Sequence, residues 1–172
     1  MKAAIARARV LDDAGFETAQ RRLRESISPG DTLEAVREIA AGLLGCEEIA
    51  LFTVDHGKST LFWSFGIDPK RHKTLDTFEE PALQRVLHGE FHLAKAVGKQ
   101  HADMANPPLR VFVPIRMNSR TVAVLVMLSL LPQKIAFDES DIRLLKLLSN
   151  ETGRGLFGAG MDARPKAARR SR

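Results

Sequence analysis

At 172 residues, 44% hydrophobic and 27% charged, the chain can bury one core and has neither a disordered nor a fibrous composition. Its formal charge of +5 sits at the ends: residues 1–24 net +3, residues 161–172 net +4, and the body between them carries 15 basic against 17 acidic groups. That balance argues against a nucleic-acid face on the folded body, no apolar run reaches the roughly 18 residues of a membrane span, and the lone Cys46 excludes both an intrachain disulfide and a cysteine zinc site.

Taken in chain order, the first periodic stretch is Phe16, Ala19, Leu23 and Ile27, one apolar stripe on a helix otherwise rich in Arg, Glu and Gln. Ser28-Pro29-Gly30 is expected to end it. Asp31-Thr32-Leu33-Glu34 has the form of an acidic capping box, with Asp31 as the cap of a second helix. The buried face of that helix is Leu33, Val36, Ile39, Ala40, Leu43 and Leu44, and Gly45 supplies a left-handed stop. Residues 49–54 and 61–65, flanking the turn-forming Asp55-His56-Gly57-Lys58, read as a hairpin.

Residues 81–87 predict a short helix with Pro81 in its first turn and Gly89 beyond its end. Residues 94–108 show no periodicity and predict a long loop, which in a small domain is usually functional. The strongest strand signals are 111–115 and 122–128, joined through Asn118-Ser119. Asp138 then caps a long helix with acidic residues in its first turn and a stripe of Ile142, Leu145, Leu148 and Leu156. After Gly158 the Ala, Arg, Lys and Pro composition is that of a disordered tail. The organisation expected is an N-terminal helical segment (1–28), one folded domain (29–158) and a basic tail (159–172).

Helix, hairpin, short helix, loop, hairpin, helix is an order that suits an α+β fold, an antiparallel sheet with helices on its faces. At residues 33–55, at Val113-Pro114-Ile115 with the 122–128 strand, and at Phe137-Asp138-x-x-Asp141-x-x-Leu144-Leu145-x-x-Leu148, the chain resembles the GAF domain family over about 125 residues. The resemblance implies a central antiparallel sheet with the terminal helices packed on one face and the short helix and loops on the other. Where the family usually places glycines, this hairpin turn reads Asn118-Ser119-Arg120, and Asn118 can take the left-handed geometry instead.

The family's known chemistries do not carry over residue by residue. The spaced Asn-Lys, Phe and Asp-Glu signature of cyclic-nucleotide binders is missing, the several cysteines of methionine sulfoxide reductases are reduced to Cys46, and Cys46 precedes the first strand instead of flanking a bilin pocket. Gly89 breaks the helix that would align His88 with His92, so these two, with His101 and Asp103, read as surface residues and not as metal ligands. No phosphate loop, zincin or nucleophile-elbow motif is present, and no catalytic residue, metal or cofactor is assigned. Trp63, Phe65, Phe78, Phe91 and Phe112 are the candidates to line a pocket between the sheet and the loop-rich face, against the reading that they are simply core.

Two functions compete. The favoured one is a non-catalytic regulatory module acting through a homodimer and a protein partner; the alternative is a sensor of a nucleotide or metabolite. The proposed dimer surface is Phe16, Leu23 and Ile27, because an isolated helix of about 12 residues needs packing to persist. The single cysteine and a basic N-terminus interrupted by Arg7 and Arg9 point to the cytoplasm.

Overall fold

The computed structural model describes residues 2–95, 109–130 and 137–158. Along the chain run α1 (Lys2–Arg24), α2 (Pro29–Gly42), β1 (Cys46–Asp55), β2 (Lys58–Phe65), a 3-10 turn (Leu75–Phe78), α3 (Leu83–Leu87), β3 (His92–Lys95), β4 (Leu109–Met117), β5 (Arg120–Leu130) and α4 (Glu139–Phe157). The strands form one sheet in the order β2-β1-β5-β4-β3, with every neighbouring pair antiparallel. Two tight hairpins set its register: His56-Gly57 and Asn118-Ser119 all have positive φ, the geometry whose twist matches that of the flanking strands.

Alternation along β4 and β5 separates two cores. Val111, Val113 and Ile115 of β4 with Ala123, Leu125 and Met127 of β5 face α1, α2 and α4. Phe112, Val124 and Val126 point the other way, toward the 3-10 turn and α3, with Ala50 and Phe52 of β1. Because β5 is central and covered on both sides, its sequence is a continuous apolar run instead of an alternating one. The terminal helices therefore share one face, and the short helix and loops occupy the other.

Helix ends depart from the sequence reading in instructive ways. Ser28-Pro29-Gly30 opens α2 instead of closing α1: Ser28 is the N-cap, its hydroxyl accepting from the Asp31 backbone N–H at 3.1 Å, with Pro29 at the first helical position. Asp31, expected as the cap, reaches back to the Ile27 N–H at 3.2 Å. α2 stops at Gly42, so helical periodicity no longer aims the next side chains; Leu44 is fully buried while Leu43 is 41% exposed. At α4 the expected cap is present, Asp138 and Asp141 exchanging hydrogen bonds of 3.0 and 2.9 Å. β3 was not expected; four residues are too few for a pattern to register.

α1 folds back on its own chain. Ala19 and Leu23 are buried against α4 and α2, and Phe16 is half-buried beneath the Arg143 guanidinium at 4.4 Å. Ion pairs rim this contact: Arg22 with Asp31 (2.9 Å) and Glu38 (3.0 Å), Arg24 with Glu151 (3.4 Å), and Arg143 with Asp13 (3.0 Å). Half-exposed pairs of this kind orient the helix more than they stabilise it. Leu23, assigned from sequence to a dimer surface, belongs instead to the intrachain core, whereas Ile27 lies past the end of α1 and is 95% exposed.

α4 rests on the backbone of β4. Ser149 Oγ donates to the Pro114 carbonyl, and a Cβ at Gly153 would lie 2.6 Å from the Arg116 carbonyl oxygen. Pro114 lies beyond the last β3–β4 residue pair, His92 with Phe112, so its missing N–H breaks no bond to β3. One neighbour on this helix is less well matched: the Thr152 hydroxyl is buried without a hydrogen-bond partner. Thr152→Val, of the same shape, is expected to raise stability by about 1 kcal/mol, read as a higher midpoint in urea at an unchanged slope.

Candidate functional site

The loop face gathers polar groups around an aromatic centre. The 3-10 turn carries Phe78 into the sheet, where its ring meets Phe52 of β1 and Phe112 of β4 edge to face, at centroid distances of 5.8 and 5.9 Å. His72 lies parallel over Phe78 at 4.4 Å, its Nδ1 2.9 Å from Thr77 Oγ1. Arg110, on the same face of β4 as Phe112, donates from Nη1 to the Phe78 carbonyl at 2.9 Å. On the far side of Phe112, His92 of β3 sits 6.0 Å from that ring, with Nε2 3.0 Å from Glu80 Oε1. This last contact has ion-pair distance but misses hydrogen-bond alignment, so a buried ring nitrogen is left unsatisfied.

Electrostatics at this rim disfavour added positive charge. The pKa of His72 is lowered from its ordinary 6.5, first by burial and then by the nearby Arg110 and Arg71 guanidinium groups. A histidine that binds its proton less readily folded than unfolded costs stability once the unfolded chain begins to protonate. The melting temperature should thus fall as pH drops below 6.5, and His72→Phe, which keeps the stack, should flatten the profile between pH 7 and 5. A slope in that window identical to that of the parent protein would assign the effect to other groups.

The five pocket candidates are not brought to one place. Phe78 and Phe112 meet on the loop face. Trp63 and Phe91 pack on the helix-side core, and Phe65 is 41% exposed on the edge strand beneath Arg37, whose guanidinium lies 5.3 Å from the ring. The residues missed are Phe52, His72, Glu80, His92 and Arg110. His92, read from sequence as a surface residue, is mostly buried, with 21% of its side chain exposed. His88 is exposed, with Nδ1 2.6 Å from the Gln84 carbonyl, and His101 and Asp103 lie outside the described residues. Among the described residues no group of three or more His, Cys, Asp or Glu could hold a metal ion.

Cys46 is fully buried in β1, its thiol donating to the Leu128 carbonyl at 3.0 Å, and burial pushes its pKa up to about 11. A thiol so placed stays protonated at neutral pH and is a poor nucleophile.

The sequence pattern of the family described as GAF domain matches residues 28–156. No curated protein sequence matches the chain. Among solved structures, it is similar to the GAF domain of an Acinetobacter phosphoenolpyruvate-protein phosphotransferase, at 16% identity and a TM-score of 0.64, covering 90% of this chain and 98% of that one. The GAF domain of a putative sensor histidine kinase from Pseudomonas syringae pv. tomato is similar at 15% identity and a TM-score of 0.61, with coverages of 92% and 94%. A type II free methionine-R-sulfoxide reductase from Thermoplasma acidophilum is similar at 15% identity and a TM-score of 0.57, with coverages of 84% and 95%. Identities this low carry the fold and leave the chemistry to the residues themselves.

Proposed function

Because this chain belongs to the GAF domain family, whose members are commonly regulatory or sensory, we propose that it is a non-catalytic cytoplasmic regulatory module acting through self-association and a protein partner. The observation that carries this reading is the position of β4 between the two faces. Phe112 and Arg110 belong to the loop face, Val111, Val113 and Ile115 to the helical core, and α4 touches the strand's backbone at Pro114 and Arg116. A shift of β4 imposed from the loop face therefore has to move α4, and with it α1 through Glu151–Arg24 and Arg143–Asp13. The buried, protonated Cys46 favours regulation over the reductase chemistry named for the Thermoplasma protein.

Ile27 is the apolar side chain that this reading assigns to self-association, since it projects from the α1–α2 junction and is 95% exposed. At micromolar concentration the expected mass by light scattering is twice the 19.0 kDa of one chain. Ile27→Glu should return it to one chain that still unfolds in a single cooperative transition, whereas Leu23→Glu should unfold the protein, its side chain being buried in its own chain. A parent protein at single-chain mass sinks self-association.

The sensor reading is favoured by one feature, the ring of His72, Glu80, His92 and Arg110 around Phe78 and Phe112. A few convergent polar groups beside apolar walls are what small-molecule sites are built from.

A further inference from the structure

The short helix α3 ends in a closed turn. Gly89 N–H donates to the Val86 carbonyl at 2.9 Å and Glu90 N–H to the Arg85 carbonyl at 3.0 Å, the paired bonds that end a helix on a residue of positive φ, here Gly89 at +98. The Gly89 carbonyl is then held from outside, by the Arg116 guanidinium of β4 donating from Nη2. A Cβ at Gly89 would stand 3.1 Å from that nitrogen and 3.3 Å from Nε, so the turn lies directly against the guanidinium.

Arg116 meets the helical face with its backbone. It follows Ile115, whose side chain lies in the helix-side core, so by strand alternation its own side chain leaves toward α3. Its carbonyl oxygen stays beneath α4, 2.6 Å from where a Cβ on Gly153 would stand. Regular pairing slips at this point, Ile115 opposing Ala123 and Arg116 opposing Thr121, which leaves Val122 as an extra residue on β5 and the ladder locally disrupted. The chain leaving α3 makes the same crossing between faces. Leu83 and Val86 fill the loop-side core, and Phe91, two residues after Gly89, packs against the helix-side core.

We infer that Arg116 is a clamp between the two faces: its guanidinium holds the α3–β3 corner, residues 88–91, its backbone supports α4, and release of the corner loosens the C-terminal half of α4. This rests on the reading of β4 as the link between the faces. It adds the place where a signal enters, at the exposed His88 and Glu90 of the corner, and the side chain that carries it. Arg116 is itself exposed, and a single hydrogen bond at a solvent-facing position exchanges readily with water, so the clamp can open without unfolding either face.

The test is hydrogen exchange on the full chain. Arg116→Met, which keeps the apolar stem and removes the donors, should speed exchange of the α4 amides from Ser149 to Leu156 by about tenfold. Amides of α2 from Val36 to Ala40, in the same core but away from this end of β4, should stay within about twofold of the parent protein. Arg116→Lys, which can still donate to the Gly89 carbonyl, should restore α4 to within about threefold. Gly89→Ala presses a methyl group against the guanidinium and should quicken α4 as Arg116→Met does, and the double variant should be no faster than either single one, because both break the same contact. Single effects that multiply in the double variant overturn the clamp. So does α4 exchange at the parent rate in Arg116→Met, or an equal quickening of α2, the mark of a general loss of stability. If Gly89→Ala does not unfold in one cooperative transition, the Met and Lys variants decide alone. Exchange along 110–116 quickened by Gly153→Val, with α4 indifferent to Arg116→Met, overturns the clamp and leaves transmission through β4 standing; failure of both overturns the two together.

Discussion

Leu145→Asp and Leu44→Asp are each expected to abolish cooperative unfolding, whereas Leu43→Asp, one residue away, should melt within a few degrees of the parent protein. Leu145 and Leu44 are 1% and 0% exposed in the helix-side core, on α4 and directly after α2. Removing a buried leucine alone costs roughly 2–5 kcal/mol. Burying a carboxylate without a partner adds several more, against a total stability on the order of 5–15 kcal/mol. Leu43 is 41% exposed, and its Cδ2 would lie 3.7 Å from a Cβ placed on Gly15 of α1. Aspartate there costs about 1 kcal/mol at most, partly because a negative charge is unfavourable at a helix C-terminus. Thermal melts followed by circular dichroism decide it; a Leu145→Asp protein with a sharp transition near the parent's would mean that α4 does not lie on the sheet.

The contrast between Leu43 and Leu44 marks where sequence reasoning stops. Periodicity placed the bodies of α2 and α4, and the Asn118-Ser119 turn with its Val-rich flanks placed the β4–β5 hairpin, because each signal is local and repeated. It failed at element ends. The stripe Phe16, Ala19, Leu23, Ile27 counts Ile27 as a helix position, yet α1 ends at Arg24 and the side chain falls on a connection. Face assignment failed where registers slip: pairing shifts between Leu51 and Phe52, so Phe62 is an extra residue between Trp63 and Leu61. Trp63 then packs on the helical core, and Phe62 leans the same way, its ring 6.0 Å from Phe157. The loop-face cluster had no local signal at all. His72, Glu80, His92 and Arg110 come from four separate segments, and a lone histidine or arginine in each is compositionally ordinary; only the tertiary fold makes them neighbours. Of the aromatic pair, Phe112 was legible as a strand residue, but nothing in Leu75-Asp76-Thr77-Phe78 announces that the turn inserts its last side chain into the sheet.

Gly153→Val should cost about 3 kcal/mol or more, and its cause bears on how the two faces communicate. A Cβ at Gly153 would meet the Arg116 carbonyl oxygen at 2.6 Å and Ile115 Cγ2 at 3.4 Å. The first neighbour is strand backbone, which cannot rotate away, so α4 must lift off β4 and stretch the Ser149 contact to Pro114 one turn earlier. Gly155→Ala meets a different obstacle, the Thr32 side chain, and Thr32 can turn only by giving up its bonds to the Ser28 carbonyl and Ser26 Oγ. Gly42 at the end of α2 has nothing within 4 Å, and Gly42→Ala should stabilise by about 0.5–1 kcal/mol through helix propensity alone. Glycine replacement as such is therefore not the fault; the close approach of α4 to β4 at Gly153, and to Thr32 of α2 at Gly155, is. Urea midpoints rank the three variants, and hydrogen exchange locates the damage: Gly153→Val should speed exchange along 110–116 as well as in α4. A Gly153→Val protein as stable as the parent, with β4 amides unchanged, would remove the joint on which transmission from the loop face to the helices depends.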